Sequence, residues 1–278
     1  MKKIIAAFDG LRFSESTLDY AIYLAKQYDA HITGVFLRET TRLGYAVYET
    51  VISQSHTERN IMHELERTDA DTEHQATALF ERRCTAGGVP YTVHRDRKSA
   101  VKELVHESIF ADLLLIDAWE CFSYIEVNMP GWFIRNVLHD AQCPVMVVPK
   151  KFHPVGKIVF LYDGTASSMH AIKMFSYVLP GGKELPTELL CAKYAASSLH
   201  LPDNNLLKEW MKRHFPQTEY KVLKGTGKEI ITLLGDEAPG VLVVAGAYHR
   251  SHLSMWFRQS LANLLMQETR APVFIAHS

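Results

Sequence analysis

Short apolar runs alternate with segments of helical period along the whole chain. Ile4 to Phe8 is apolar and ends in Asp9-Gly10. Ser14 to Tyr28 follows, with Leu18, Ala21, Ile22, Leu24 and Ala25 recurring on one helical face. The pattern predicts a strand and then a helix. His31 to Leu37 reads as a second strand. A long polar stretch runs to about Cys84; its helical period is strongest from Ile61 through Phe80, and Gly87-Gly88 stops it. Tyr91 to His94 predicts a third strand, Val101 to Ile109 a helix, and Ala111 to Ile116 a fourth strand. That strand is apolar nearly throughout, as expected where both faces are buried. Trp132 to Asp140 predicts a further helix and Val145 to Val148 a fifth strand.

The same order then returns. Ile158 to Tyr162 ends in Asp163-Gly164, as Ile4 to Phe8 ends in Asp9-Gly10. Helix Ser168 to Val178, strand Glu188 to Tyr194, helix Asn204 to His214 and strand Glu219 to Leu223 follow. Helix Lys228 to Leu234, strand Val241 to Ala245, helix Leu261 to Glu268 and strand Val273 to Ala276 complete the set. The closing segments match too, Cys143-Pro144-Val145 against Ala271-Pro272-Val273. A repeat of this length is a duplicated domain, not a solenoid. Strands alternating with helices predict α/β architecture: two tandem Rossmann-like domains, each a five-stranded parallel sheet with helices on both faces and right-handed crossovers. The expected bounds are 1–150 and 155–278, with Lys150 to Pro154 as a short linker.

Composition narrows the function. With 278 residues, 47% of them hydrophobic, the chain can bury a core in each half without disulfides or metal staples. The formal net charge is -1 and no Lys/Arg block runs along any segment, so the footprint of a nucleic-acid binder is missing. Cys84, Cys121, Cys143 and Cys191 form no Cys-x-x-Cys pair, which suits free thiols in a reducing, cytoplasmic setting. Asp9 and Arg12 interrupt the first apolar run too early for a signal-peptide core or a membrane span.

The Asp after strand one of each half (Asp9, Asp163), the Asp163-Gly164-Thr165, Ser168, Ala171 spacing, the strand-four runs and the Cys-Pro-Val and Ala-Pro-Val ends together resemble the universal stress protein family in its tandem two-domain form. The resemblance spans nearly the whole chain. It implies a nucleotide site after strand four, where binding members carry G-x-x-G, nine residues, then G-[ST], so that bare backbone amides and a helix N-terminus meet the phosphates. Counted back from the Pro of each last strand, the first half offers Ala118, Cys121, Gly131 and Trp132 at those positions, and the second half Gly246, His249, Gln259 and Ser260. Trp132 is bulky where a phosphate should sit, so the first-half site is expected to be closed to ATP. In the second half His249, Arg250, Ser251 and Ser260 offer donors to an anion, and the resemblance sets Asp163 at the adenine end. The nucleotide-site candidates are thus Asp163, Gly246, His249, Arg250 and Ser260, with Asp9 and Gly131 weaker, and ATP the cofactor to be tested in the second half. The family also commonly pairs two domains through their last strands, which would set Val145 to Val148 beside Val273 to Ala276 as an intramolecular pseudo-dimer and shield two apolar edges.

Each candidate has a plainer alternative. Asp9 and Asp163 stand where open α/β sheets bind ligands, yet a carboxylate there can equally cap the following helix. His249 and His252, with His170 elsewhere, have no acidic or thiol partner at a useful spacing, so no metal site is assigned. No G-x-S-x-G elbow and no Cys beside a His and an acid are present, so no catalytic residue is assigned. Trp119, Phe122, Tyr124 and Trp132 make the first-half loop aromatic, suited to packing or an apolar pocket. The polar helix from Glu58 to Arg83 is a candidate partner surface. The expectation is a stress-response protein acting by ligand or protein binding without catalysis; the alternative is an ATP-binding switch or weak ATPase using the second half alone. Flavoprotein or nucleotidylyl-transferase relatives share a similar sheet, but no His-x-Gly-His signature supports them.

Overall fold

A computed structural model describes residues 1–9, 12–37, 58–96, 99–118, 132–193, 200–225, 227–236, 239–246 and 270–276. Contacts divide the chain into two compact units, Lys2–Gln142 and Cys143–Ser278. In the first unit the strands are β1 (Lys3–Asp9), β2 (His31–Leu37), β3 (Tyr91–Asp96) and β4 (Leu113–Asp117). Its helices are α1 (Glu15–Tyr28), α2 (Glu58–Gly87), α3 (Ala100–Ser108) and α4 (Trp132–Asp140). The strands lie in the order β3-β2-β1-β4, all parallel.

In the second unit the strands are β5 (Val145–Val148), β6 (Lys157–Leu161), β7 (Thr187–Lys193), β8 (Thr218–Lys224), β9 (Val241–Gly246) and β10 (Val273–Ala276). The helices are α5 (Ala166–Val178), α6 (Asn204–His214) and α7 (Gly227–Asp236), with a 3-10 turn at Pro180–Glu184 that no periodicity announced. The order is β5-β10-β9-β6-β7-β8. All described pairings here are parallel save one: β10 runs antiparallel to β5, with Val273 opposite Val147 and Ile275 opposite Val145. The last strands of the two halves therefore pair as the family resemblance implied. This pairing also explains why β5, which the repeat assigns to the first half, groups by contact with the second.

Local chemistry accounts for the element ends. Ser14 accepts the Thr17 amide at 3.2 Å and so caps α1, while Asp29 closes that helix in the left-handed region at φ 52°. Helix α2 is longer than its period from Ile61 to Phe80 suggested, because its packing continues to Cys84: Glu73, Ala76, Thr77, Phe80 and Cys84 form its buried stripe. Arg83 ties it to Asp19 and Glu15 of α1. In the second unit α5 starts at Ala166, earlier than the expected Ser168, because Thr165 supplies the cap by accepting the Ser168 amide at 3.2 Å.

A buried carboxylate crosses three strands of the second sheet. The Glu188 side chain is 3% exposed, with Lys157 Nζ 2.8 Å and Lys221 Nζ 2.7 Å from its two oxygens. Burial pushes its pKa up, but hydrogen bonds and charges from both lysines outweigh burial and hold it below the usual carboxylate value. Because the folded pKa is depressed, this stabilisation is present above the ordinary Glu pKa of about 4.3 and disappears as pH falls through the folded value. Glu188→Gln is expected to cost about 1 kcal/mol at neutral pH, the lysines being partly solvated, and nothing once wild-type Glu188 is protonated. Urea titrations of both proteins across that range check it; a pH-independent difference would contradict the ion-pair account.

Candidate functional site

The chain reverses direction of growth across each sheet at its first strand. β1 lies between β2 and β4, and β6 lies between β7 and β9. At such switch points the connections leave in opposite directions and a crevice opens at the carboxyl ends of the strands. Asp9 ends β1, Asp117 ends β4, Asp163 follows β6, and Gly246 ends β9.

In the first half aromatic rings gather at these strand ends. Phe13, between β1 and α1, stacks on Phe8 at 4.8 Å between ring centroids and lies 6.4 Å from Phe36. Phe80 of α2 meets Phe8 and Phe36 edge-on at 5.7 and 5.8 Å. Ser14 donates to Asp117 Oδ2 at 2.6 Å while also capping α1, so one hydroxyl ties the helix start to the end of β4. Asp9 and Asp117 are both buried, and the Arg12 amide donates to the Asp9 carbonyl at 3.1 Å. Strand register corrects the alignment made from the closing prolines. Ile4 pairs with Leu113 and Ile158 with Leu242, so Asp117, not Ala118, is the counterpart of Gly246. Counting back from Pro144 and Pro272 concealed a one-residue difference in the intervening loops. That counterpart carries a carboxylate where a phosphate-binding strand end needs bare backbone.

The second half differs at each matched position. Tyr162 replaces Phe8, Ser167 replaces Phe13, and Cys191 replaces Phe36. Its aromatic cluster sits deeper: Phe160 contacts Phe175 at 5.7 Å and Phe215 at 4.7 Å, and Phe175 contacts Phe274 at 5.4 Å. The strand ends are left to polar groups. Asp163 Oδ1 accepts from the Thr165 amide at 2.9 Å and hydroxyl at 2.6 Å, and Thr165 in turn caps α5. So Asp163 does serve the capping turn, through one of its two oxygens. Gly246 has a packing reason to be glycine: a Cβ there would lie 2.7 Å from Ser167 C and O and 2.8 Å from Ser168 N. The first turn of α5 rests directly on the end of β9.

The remaining sequence candidates, His249, Arg250, Ser251, His252, Gln259, Ser260, Trp119, Cys121, Phe122, Tyr124, Gly131 and the expected helix Leu261 to Glu268, lie outside the described residues. Trp132 opens α4, but its indole is likewise outside what is described. The structure thus brings Asp163 and Gly246 to one switch point and Asp9 to the other. Sequence reasoning missed Phe13, Ser14 and Asp117 in the first half. Only the Phe8 to Tyr162 and Phe13 to Ser167 differences between the repeats could have drawn attention to them. Among the described residues, Cys84, Cys143 and Cys191 are free and buried, and burial pushes the Cys84 thiol up to about 12, Arg83 offsetting only part of it. A thiol in that state is a poor nucleophile at neutral pH. No described helix is long and apolar enough to cross a membrane.

No protein-family model matches the chain. In sequence it is 21% identical over 294 residues to a universal stress protein of Synechocystis sp., covering 98% of this chain and 99% of that protein. In structure it is similar to a universal stress protein from Archaeoglobus fulgidus DSM 4304, with TM-score 0.71, 14% identity, and 99% and 96% of the two chains covered. It is also similar to the cytoplasmic domain of a prokaryotic cation chloride cotransporter, with TM-score 0.52, 9% identity, and 99% and 94% covered. Proteins of different description share this fold, so the fold alone assigns no ligand. The resemblance carried by Asp9, Asp163 and the closing strands is thus matched by similarity over the whole chain, in sequence to one universal stress protein and in fold to another.

Proposed function

We propose that this chain is a cytoplasmic stress-response protein that binds its ligand without turning it over, and that binding belongs to the second half. One observation carries the reading: at matched strand ends the first half holds Phe13 and the Ser14–Asp117 bond, whereas the second holds Ser167, Thr165 and Gly246. A stacked ring occupies the volume a ligand would need. The Asp117 carboxylate adds repulsion toward any phosphate, worth roughly 1 kcal/mol per unit charge at 4 Å even in water-like surroundings and more in a crevice. Among the described residues the second half has neither obstacle, so the expected stoichiometry is one ligand per chain.

Absence of turnover is the testable part. Incubating the purified full chain with ATP and Mg²⁺ is expected to release no phosphate above the blank. Release abolished by Asp163→Ala or by Ser260→Trp would overturn the reading.

A second reading, an ATP-binding switch or weak ATPase in the second half, is favoured by Gly246 beside the hydroxyl-rich start of α5, where Thr165, Ser167 and Ser168 crowd a helix N-terminus. It requires ATP to stabilise the folded chain by about 2.7 kcal/mol at a hundredfold excess over Kd. The accompanying rise in Tm must vanish in Ser260→Trp; a wild type that shows no rise ends this second reading.

A further inference from the structure

Strand register matches three positions between the two sheets. Ile4 pairs with Leu113 as Ile158 pairs with Leu242, so Lys3 corresponds to Lys157. Ile5 faces Thr33 where Val159 faces Glu188, and Val35 faces His94 where Leu190 faces Lys221. The first half therefore has Lys3, Thr33 and His94 in place of the ion triad Lys157, Glu188 and Lys221. Two basic side chains remain, and the carboxylate between them becomes a hydroxyl.

His31 stands next to this substitution. It is the strand partner of Lys3, it is half-buried, and its Nε2 lies 3.1 Å from Thr92 Oγ1. Thr92 donates its own hydroxyl to Thr33 Oγ1 at 3.3 Å, so in the bond with Thr92 the imidazole is the donor. The carboxylates around it are engaged elsewhere. Glu107 of α3 is 2.6 Å from His94 Nδ1, Asp112 accepts the Lys2 and Lys3 amides at 2.6 and 2.9 Å, and Asp29 pairs with the Lys2 ammonium at 3.1 Å. Lys102, Glu103 and His106 are the other titratable groups of α3. The charges that act on His31 are those of Lys3 and His94, both positive. With burial as the largest cause, they hold its pKa below the ordinary imidazole value.

The sign follows. A folded pKa below the unfolded one leaves stability intact above about pH 6.5 and withdraws it as pH falls through the folded value. The Glu188 triad weakens only in the lower, carboxylate range, and Pro186 occupies the second-half position that matches His31.

We propose that the β2–β3 edge of the first half is a proton-triggered latch: protonation of His31 beside Lys3 at weakly acid pH loosens β3 from β2, while the matching edge of the second half stays held through Glu188. β3 ends the sheet and pairs with β2 alone, so it can part without breaking another pairing. The first half then carries a regulatory element whichever half binds ligand.

Hydrogen exchange of the full chain, read as protection factors at about pD 7.5 and about pD 5.5, tests this across the imidazole range. Protection of the Tyr91–Asp96 amides is expected to fall severalfold on acidification, and that of Thr218–Lys224 to hold. His31→Gln keeps an N–H donor for Thr92 but cannot titrate, and should remove most of the fall. Proton NMR supplies a readout that needs no opening: the His31 imidazole, assigned by its loss in His31→Gln, should titrate below the ordinary value and move up in Lys3→Gln. Equal falls in wild type and His31→Gln, falls of the same size in β3 and β8, or a His31 that titrates at or above the ordinary value would overturn the proposal.

Discussion

Phe80→Ala is expected to destabilise the chain by about 3–5 kcal/mol, near the top of the range for truncating a buried aromatic. Phe80 is fully buried and meets Phe8, Phe36 and Tyr91 edge-on at 5.7, 5.8 and 5.7 Å. The opposite wall is Gly34 of β2, where a Cβ would come within 2.7 Å of the ring. Strand backbone cannot collapse into the space the ring vacates, and Gly34 has no side chain to fill it, so most of the cavity persists. Loss of the ring also removes the largest buried side chain among those described on α2, where the other buried ones are small or polar: Glu73, Ala76, Thr77 and Cys84. Denaturant unfolding followed by circular dichroism measures the effect. Phe110→Ala, at a position 62% exposed, is the control and should change little. A loss below about 1 kcal/mol at Phe80 would mean that the aromatic cluster is not what fixes α2 on the first sheet.

That cluster shows what could and could not be read from the sequence. The strand runs and the duplication were legible, because apolar period and strand-end Asp-Gly pairs are local; the pairing of Val145 to Val148 with Val273 to Ala276 was expected only from the family resemblance. Asp163 was legible as a switch-point residue for the same reason, and its capping role through Thr165 was among the alternatives weighed. Phe13 was not: a single aromatic in a loop has no period, and only the ring partners Phe8 and Phe36, brought from two different strands, show that it joins an aromatic cluster at the strand ends. Asp117 escaped because the closing prolines gave an alignment one residue out of step with the strand register. Aromatic residues in the long first-half loop were given weight by the sequence, whereas the ring that joins the described aromatic cluster from a loop precedes α1.

Gly246→Ala is expected to lower the stability of the ligand-free chain by about 1–3 kcal/mol, the usual cost of forcing a methyl into a filled site. The added carbon would press on Ser167 C and O at 2.7 Å and Ser168 N at 2.8 Å, all backbone, so no side-chain rotation relieves it. Relief requires α5 to move off the end of β9, which drags Thr165 and its bond to Asp163 along. The first half shows how a side chain is accommodated at this place. Ala166, where α5 begins, corresponds to Arg12, but α1 begins only at Glu15. That later start leaves room for Asp117 and turns it into a partner for Ser14. The substitution therefore separates two reasons for a glycine at 246. If the residue serves only the approach of a phosphate, the ligand-free Tm should stay put while nucleotide binding falls. If it serves the seating of α5 on β9, the ligand-free Tm should drop by several degrees, at roughly 2–4 °C per kcal/mol for a chain of this size. Binding at Asp163 should weaken with it, because the same turn positions both. An unchanged ligand-free Tm would return Gly246 to the phosphate loop and weaken the case that the glycine is retained by packing.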